Sequence, residues 1–146
     1  MKFWIIATIF LVITILMVSN NNAFEIPEHL KKHAKKLHKR CQNQTETPED
    51  VIRESLTGVL PKNKNFECYV QCLFDIIGIM DENNIIRIDL LMQVLPDEMH
   101  STLTRLAEVC GTKEGNDKCS VAYNTLQCYV DNNPLMIKNN LEFLFD

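Results

Sequence analysis

The stretch that decides the fold of this chain is NFECYVQCLFDIIGIM, residues 65–80. Its apolar residues occupy nearly every side of a helix, so we predict a helix over Phe66–Met80 that is buried in the middle of a domain. Cys68 and Cys72 lie four residues apart, which places both sulfurs on one face of this helix, one turn apart. Two thiols in that arrangement can hold a metal, form a redox couple or crosslink the helix to two other segments.

The N-terminal residues favour crosslinks because they predict an oxidising compartment. The run FWIIATIFLVITILMV, residues 3–18, carries no charge. It is shorter than the ~20 apolar residues of a membrane-spanning helix and ends in polar SNNNAF, which is typical of a secretory signal peptide. We place the cleavage after Ala23, which makes residues 1–23 the signal peptide; Ser19 is the alternative cleavage point, and an N-terminal membrane anchor is the alternative structure. The mature chain, residues 24–146, is then a single secreted, extracellular domain.

The cysteine pattern predicts structural disulfides and no metal. All six cysteines lie in the predicted mature chain, and an even number in an oxidising setting is typical of three disulfides. A zinc site usually combines two close pairs, and a thioredoxin-like motif has two residues between its cysteines. Neither pattern is present, so we predict no metal and no cofactor. Spacing alone does not choose among the 15 possible pairings, although a bond between Cys68 and Cys72 would add little because the helix already fixes their separation.

The remaining segments predict an all-α domain of about six helices. The segment EIPEHLKKHAKKLHKRC, residues 25–41, places its apolar residues on one stripe and its lysines opposite, which is typical of an amphipathic helix packed on a domain. A short helix over residues 48–57 follows. Further along the chain, apolar residues spaced four, three and four positions apart predict another helix, whose stripe ends at Cys110. The expected helix boundaries are Thr47, Asp89 and Asp117 as N-caps and Gly111 as a C-terminal stop.

The charge distribution argues against nucleic acid as a partner. Residues 24–40 carry six Lys and Arg against two Glu, whereas residues 41–146 carry eight basic against seventeen acidic side chains. A basic segment alone would suggest nucleic acid or an anionic lipid. Here the basic residues form the solvated side of an amphipathic helix, and the rest of the domain is acidic. We therefore predict no binding to nucleic acid.

The six cysteines follow the order and spacing C-x26-C-x3-C-x37-C-x8-C-x8-C. With this spacing, the helical chain resembles the insect odorant-binding proteins of the pheromone-binding and general odorant-binding type. In that family the first cysteine pairs with the third, the second with the fifth and the fourth with the sixth. The resemblance implies the bonds Cys41–Cys72, Cys68–Cys119 and Cys110–Cys128, interlocked around a hydrophobic cavity. It implies a non-catalytic carrier of small apolar ligands such as odorants or pheromones, a chemosensory membrane receptor as a further partner, and a monomer or weak homodimer.

A physical argument also favours a hollow core. A domain of this length can build an adequate core without crosslinks, so three disulfides suggest a core weakened by a cavity. Ordinary core packing is the alternative role for every candidate lining residue, and Tyr123 is the candidate polar contact because a buried hydroxyl needs a partner. The resemblance implies a lining drawn from the converging helices and the tail, for which the candidates are Phe74, Ile77, Leu90, Leu91, Val94, Leu95, Leu103, Leu106, Tyr123, Leu126, Phe143 and Phe145.

The C-terminal tail, residues 135–146, is too apolar to extend freely into water. The resemblance implies that it covers the cavity or enters it. Glu142 and Asp146 would oppose deep insertion while ionised, so lower pH would favour insertion and ligand release. His33 and His100 are the candidate histidines for such a pH switch. An amphipathic closing segment without a switch is the alternative.

Two further sequence features suggest a modification and a second function. Asn43 begins NQT, a glycosylation sequon in a secreted chain. The basic first helix and the apolar tail together also fit a membrane-active or antimicrobial secreted protein, which is the alternative to a carrier. No nucleophile elbow, phosphate loop or free cysteine–histidine dyad occurs in the sequence, so we predict no enzymatic activity and no catalytic residue.

Overall fold

The computed structural model describes residues 26–138 and 141–146, and its regular structure is helical. An isolated bridge joins Met80 to Ile86. The all-α class is confirmed, and the predicted signal peptide lies outside the described residues. None of the described helices is long and apolar enough to cross a membrane. The described residues form seven α-helices, α1 (Glu28–Thr45), α2 (Glu49–Ser55), α3 (Lys64–Ile77), α4 (Ile88–Met92), α5 (Asp97–Cys110), α6 (Lys118–Asn132) and α7 (Leu135–Lys138), followed by a 3₁₀ helix, Glu142–Phe145.

The central helix is α3, as the sequence predicted. The Asn63 side chain accepts a hydrogen bond from the backbone N–H of Phe66 and caps its N-terminus. The helix packs against α6 and α1, and Phe66 and Val70 are each only 2% exposed. Gly78 ends the helix earlier than expected, because its left-handed backbone (φ 81°) turns the chain toward the bridge at Met80.

The Gly78 backbone gives a direct test of how α3 ends. An added Cβ at this position would have no heavy atom within 4 Å, so a substitution acts through backbone strain alone. We expect Gly78→Ala to lower the free energy of unfolding by about 1 kcal/mol, and Gly78→Asn to lower it less because asparagine tolerates the left-handed region. Urea unfolding of both variants measures the difference, and an alanine variant as stable as the parent would contradict this account.

Two of the predicted helix boundaries are confirmed. The Asp117 side chain accepts a hydrogen bond from Ser120 N at 2.8 Å, and the Ser120 hydroxyl accepts one from Asp117 N, which together form a capping box at α6. The Lys64 ammonium adds an ion pair to Asp117 at 2.6 Å, which links the starts of α3 and α6. Gly111 follows α5 with a positive φ of 55°.

The other two predicted caps are wrong, and each residue has a different role. Pro48 is the residue before α2, while the Thr47 hydroxyl donates to the backbone oxygen of Asn65 at 2.9 Å and ties the α1–α2 corner to the start of α3. Arg87 precedes α4, and Asp89 lies in the first turn, where it pairs with the Arg87 guanidinium at 2.8 Å.

Three disulfides join four of the helices. Cys72 bonds to Cys41 of α1, and Cys68 bonds to Cys119 of α6. Cys110 of α5 bonds to Cys128 of α6. This is the pairing that the resemblance implied, and it leaves no free cysteine in the part of the chain that the structure describes. The two cysteines of one α3 turn therefore connect α3 to different neighbours.

Candidate functional site

A cavity of about 320 Å³ lies inside the crosslinked helices, at the lower end of the ~300–1,000 Å³ range of small-molecule pockets. Helix α3 supplies one wall with Phe66, Tyr69, Val70, Leu73 and Phe74. The lining is almost entirely apolar, so a polar ligand would lose its hydrogen bonds to water on entering the cavity, whereas an apolar ligand has none to lose. The other walls come from every remaining helix and the tail, chiefly through Leu37, His38, Ile52, Ser55, Leu91, Leu95, Met99, Leu103, Leu126, Met136, Ile137, Leu141 and Leu144.

The predicted lining residues divide into two groups. Half of them lie at the cavity, namely Phe74, Ile77, Leu91, Leu95, Leu103 and Leu126. Leu90 and Val94 instead lie at the surface, with exposed fractions of 38% and 58%, and Leu91 is the residue of α4 that lines the cavity. Leu106 is buried in the packed core beside the cavity. Their binding roles therefore lack geometric support.

Tyr123, the predicted polar contact, is engaged elsewhere. Its hydroxyl donates to the backbone oxygen of Leu60 at 3.2 Å and also lies 3.3 Å from Gln127 Oε1. Burial, together with the charges of Glu67 and Asp131, raises the pKa of this phenol. Since the protein itself satisfies the hydroxyl, Tyr123 acts as a tie between α6 and the loop before α3.

The polar groups at the cavity are a pair that sequence reasoning missed. His38 Nδ1 and the Tyr69 hydroxyl lie 2.8 Å apart and form a buried hydrogen bond between α1 and α3. The sequence does contain a signal for the burial of His38. This residue follows Ala34 by four positions and precedes Cys41 by three, which puts it on the apolar stripe of the first helix.

The C-terminal segment closes one side of this cavity. Leu141 and Leu144 contribute to the lining. The Phe145 ring lies edge-on to the His38 ring at 5.1 Å, and the Arg53 guanidinium lies 4.1 Å from the centre of the same phenyl ring. The aromatic ring of Phe145 thus covers the histidine from outside the cavity.

The remaining tail residues lie at the surface or outside the lining. Phe143 is half-buried and does not belong to the lining. Glu142 and Asp146 are exposed. The Lys35 ammonium donates to the backbone oxygen of Asp146 at 3.3 Å, which holds the chain end against α1.

The residues predicted to titrate or to carry sugar lie away from the cavity. His33 and Asn43 are exposed on α1. His100 is half-buried, with Nε2 at 2.9 Å from the Leu95 backbone oxygen and Nδ1 at 3.7 Å from the Asp97 carboxylate. His38 is therefore the histidine that the structure places at the cavity wall.

Burial lowers the pKa of His38, with Lys39 and Arg53 acting in the same direction and Glu49 opposing them. The unfolded-state value is about 6.5. A histidine whose pKa is depressed by folding stabilises the fold fully above that value, and this contribution is lost as the pH falls through the folded-state pKa. Acidification below about pH 6.5 should therefore destabilise the protein.

Thermal melting between pH 7.5 and 5 tests this prediction. We expect the melting temperature of the parent to fall with acidification, and the fall to be smaller in His38→Gln, whose side chain does not titrate. His33→Gln on the exposed side of the same helix is the matched control and should follow the parent. A His38→Gln variant with the full pH dependence of the parent would show that other groups cause it.

The comparisons with known proteins agree with this architecture. Residues 23–132 match the sequence model of the PBP/GOBP family. General odorant-binding protein 69a of Drosophila melanogaster is 39% identical over 124 residues, covering 83% of this chain and 84% of the relative. General odorant-binding protein 72 of Anopheles gambiae is 31% identical over 75% of this chain and 95% of its own length. The chain belongs to the PBP/GOBP family.

Solved structures of similar proteins have the same fold. The medfly odorant-binding protein CcapOBP22/CcapOBP69a is 38% identical, with a TM-score of 0.69 over 76% of this chain and 95% of its own. Odorant-binding protein 7 of Anopheles gambiae, in complex with an azo compound, is 35% identical, with a TM-score of 0.74 over 82% of this chain and 95% of its own. That protein has four disulfide bridges, whereas the six cysteines here form three.

Proposed function

We propose that this protein is a carrier that binds one small hydrophobic molecule in its internal cavity. The observation that carries the proposal is the almost wholly apolar cavity lining around α3, a helix that disulfides join to α1 and to α6. The bound azo compound of the mosquito relative supports it. Odorants, pheromones and similar apolar molecules are the ligand class.

The proposal includes several finer points. The carrier is secreted by means of residues 1–23, non-catalytic, and a monomer or weak homodimer; a chemosensory membrane receptor is a further partner, and Asn43 is a glycosylation site. The site residues are the six predicted residues at the cavity together with His38, Tyr69 and the tail leucines. No group of three or more His, Cys, Asp or Glu in the described ranges is arranged to hold a metal ion.

A binding titration with N-phenyl-1-naphthylamine tests the carrier function. We expect saturable binding of one probe per mature protein and displacement by apolar molecules. Leu126→Trp, which adds volume at the cavity wall, should weaken binding by about tenfold or more. Val109→Trp, at a position that is 59% exposed, is the matched control and should bind like the parent. Equal affinity of both variants, or no saturable binding, would count against the proposal.

The membrane-active alternative loses support from the packing of its two elements. The apolar stripe of α1 contributes Ala34 and Leu37 to the cavity, and the tail contributes Leu141 and Leu144. Neither face is free to enter a lipid bilayer while the domain is folded. Release of dye from anionic vesicles by micromolar protein would favour the alternative, and we expect no release.

A further inference from the structure

The pair of His38 and Tyr69 is unusual because it places polar groups in an otherwise apolar cavity. The two side chains are 3% and 4% exposed, and both line the cavity. Within residues 26–138 and 141–146, no protein group forms a hydrogen bond with His38 Nε2. The remaining polar lining residue, Ser55, donates its hydroxyl to the Ile52 backbone oxygen at 2.6 Å and is thereby satisfied.

The position of the proton between His38 and Tyr69 determines which hydrogen-bonding groups the pair offers to a ligand. If the Tyr69 hydroxyl donates to His38 Nδ1, then Nε2 carries the histidine proton and is a free donor, while the phenol oxygen can still accept. If Nδ1 donates instead, the Tyr69 proton is free and Nε2 is the acceptor. Both arrangements leave one donor and one acceptor without a partner. A guest oxygen that fills both vacant positions gains two hydrogen bonds to the protein, which strengthens its binding.

We propose that His38 and Tyr69 form an oxygen-binding subsite, and that the preferred ligand is a neutral molecule with an apolar body and one hydroxyl group. This inference rests on the proposed carrier function and names its ligand class. An alcohol oxygen both accepts and donates, so it matches the pair in either proton arrangement. A ketone or aldehyde only accepts and satisfies half of it.

The electrostatics of the site favour a neutral ligand over a carboxylate. The lining residues include no Lys or Arg. Two cations beside the C-terminal segment are engaged outside the cavity, Lys35 with the backbone oxygen of Asp146 and Arg53 with Glu49 and the Phe145 ring. Burial lowers the pKa of His38 and raises the pKa of Tyr69, so both groups are neutral at neutral pH. A desolvated carboxylate would therefore find no opposite charge.

The test compares two guests with the same number of non-hydrogen atoms, 1-decanol and undecane, by displacement of N-phenyl-1-naphthylamine from the mature protein. We expect the parent to prefer decanol. Tyr69→Phe and His38→Phe should each weaken decanol binding roughly three- to tenfold, and the double variant by at least as much, with undecane affinity little changed. Tyr123→Phe is the matched control, because it removes a buried phenol hydroxyl that does not face the cavity, and it should keep the parent preference. Decanoate should bind more weakly than decanol.

The outcomes separate this inference from the carrier function. If neither guest displaces the probe, the carrier function fails. If both guests bind but the variants keep the decanol preference, the subsite is wrong. A measurement on the parent avoids variants that do not fold: decanol should shift the ring ¹⁵N resonances of His38 and undecane should leave them unchanged. Equal shifts with both guests would overturn the proposal.

Discussion

Replacing Cys68 and Cys119 with alanine should lower the free energy of unfolding by about 4 kcal/mol, the largest loss among the three disulfides. The bond closes a loop of 51 residues, and the chain entropy that a crosslink removes from the unfolded state grows with loop length. It also joins α3 to α6, the helix against which α3 packs most extensively. A loss of this size is a large part of the total stability of a small domain.

The other two disulfides are the internal controls for this prediction. Cys41–Cys72 spans 31 residues and Cys110–Cys128 spans 18. The same relation gives losses of about 3.7 and 3.2 kcal/mol for their alanine pairs. Denaturant unfolding of the three double variants at equal pH should reproduce the order of loop lengths. A Cys110–Cys128 variant less stable than the Cys68–Cys119 variant would show that native packing outweighs chain entropy.

Ending the chain at Lys138 should weaken binding of an apolar ligand by about a hundredfold. Leu141 and Leu144 lie at the cavity, and each should contribute roughly 1.4 kcal/mol, or tenfold in affinity, by keeping apolar surface from water. The truncation also removes Phe145 from the His38 ring and opens the cavity wall to solvent. Probe titration of the truncated and parent proteins measures the loss.

Point variants distinguish the role of the tail leucines from a general effect of shortening the chain. Leu141→Ala with Leu144→Ala should reproduce most of the loss in affinity. Leu135→Ala removes a side chain that is 61% exposed and should bind like the parent. If the double variant keeps full affinity while the truncation loses it, the tail acts through its backbone or its charges, and the leucines are not the seal.

The helices and disulfides of this protein were predicted from the sequence better than the residues that line its cavity, and the reason is physical. Period and spacing identify α1, α3, α5 and α6 because their buried stripes and cysteines are local patterns. Whether a buried side chain lines a cavity or fills the core depends on how helices distant in the sequence pack together. Tyr69 and Tyr123 are both buried phenols, and only the arrangement of α1 against α3 decides that Tyr69 meets the cavity.

The short elements show the same limit. Leu90 and Leu91 are adjacent and chemically identical, yet only Leu91 lines the cavity. Helix α4 has five residues, too few for a periodic signal to show which side faces inward. Thr47 was predicted as a helix cap because a threonine hydroxyl before a helix usually bonds to a backbone N–H in the first turn. Here the Thr47 hydroxyl instead donates to the backbone oxygen of Asn65.

The disulfides divide the cavity walls into those that are crosslinked and those that are not. All six cysteines lie on α1, α3, α5 and α6, while α2, α4, α7 and the 3₁₀ helix carry none. The uncrosslinked elements still supply Ile52, Leu91, Ile137 and Leu144 to the lining. Substitutions at such positions can reshape the cavity without touching the covalent frame. Variants of this protein that differ only at such positions should therefore differ in ligand preference while they keep the same disulfide-bonded scaffold.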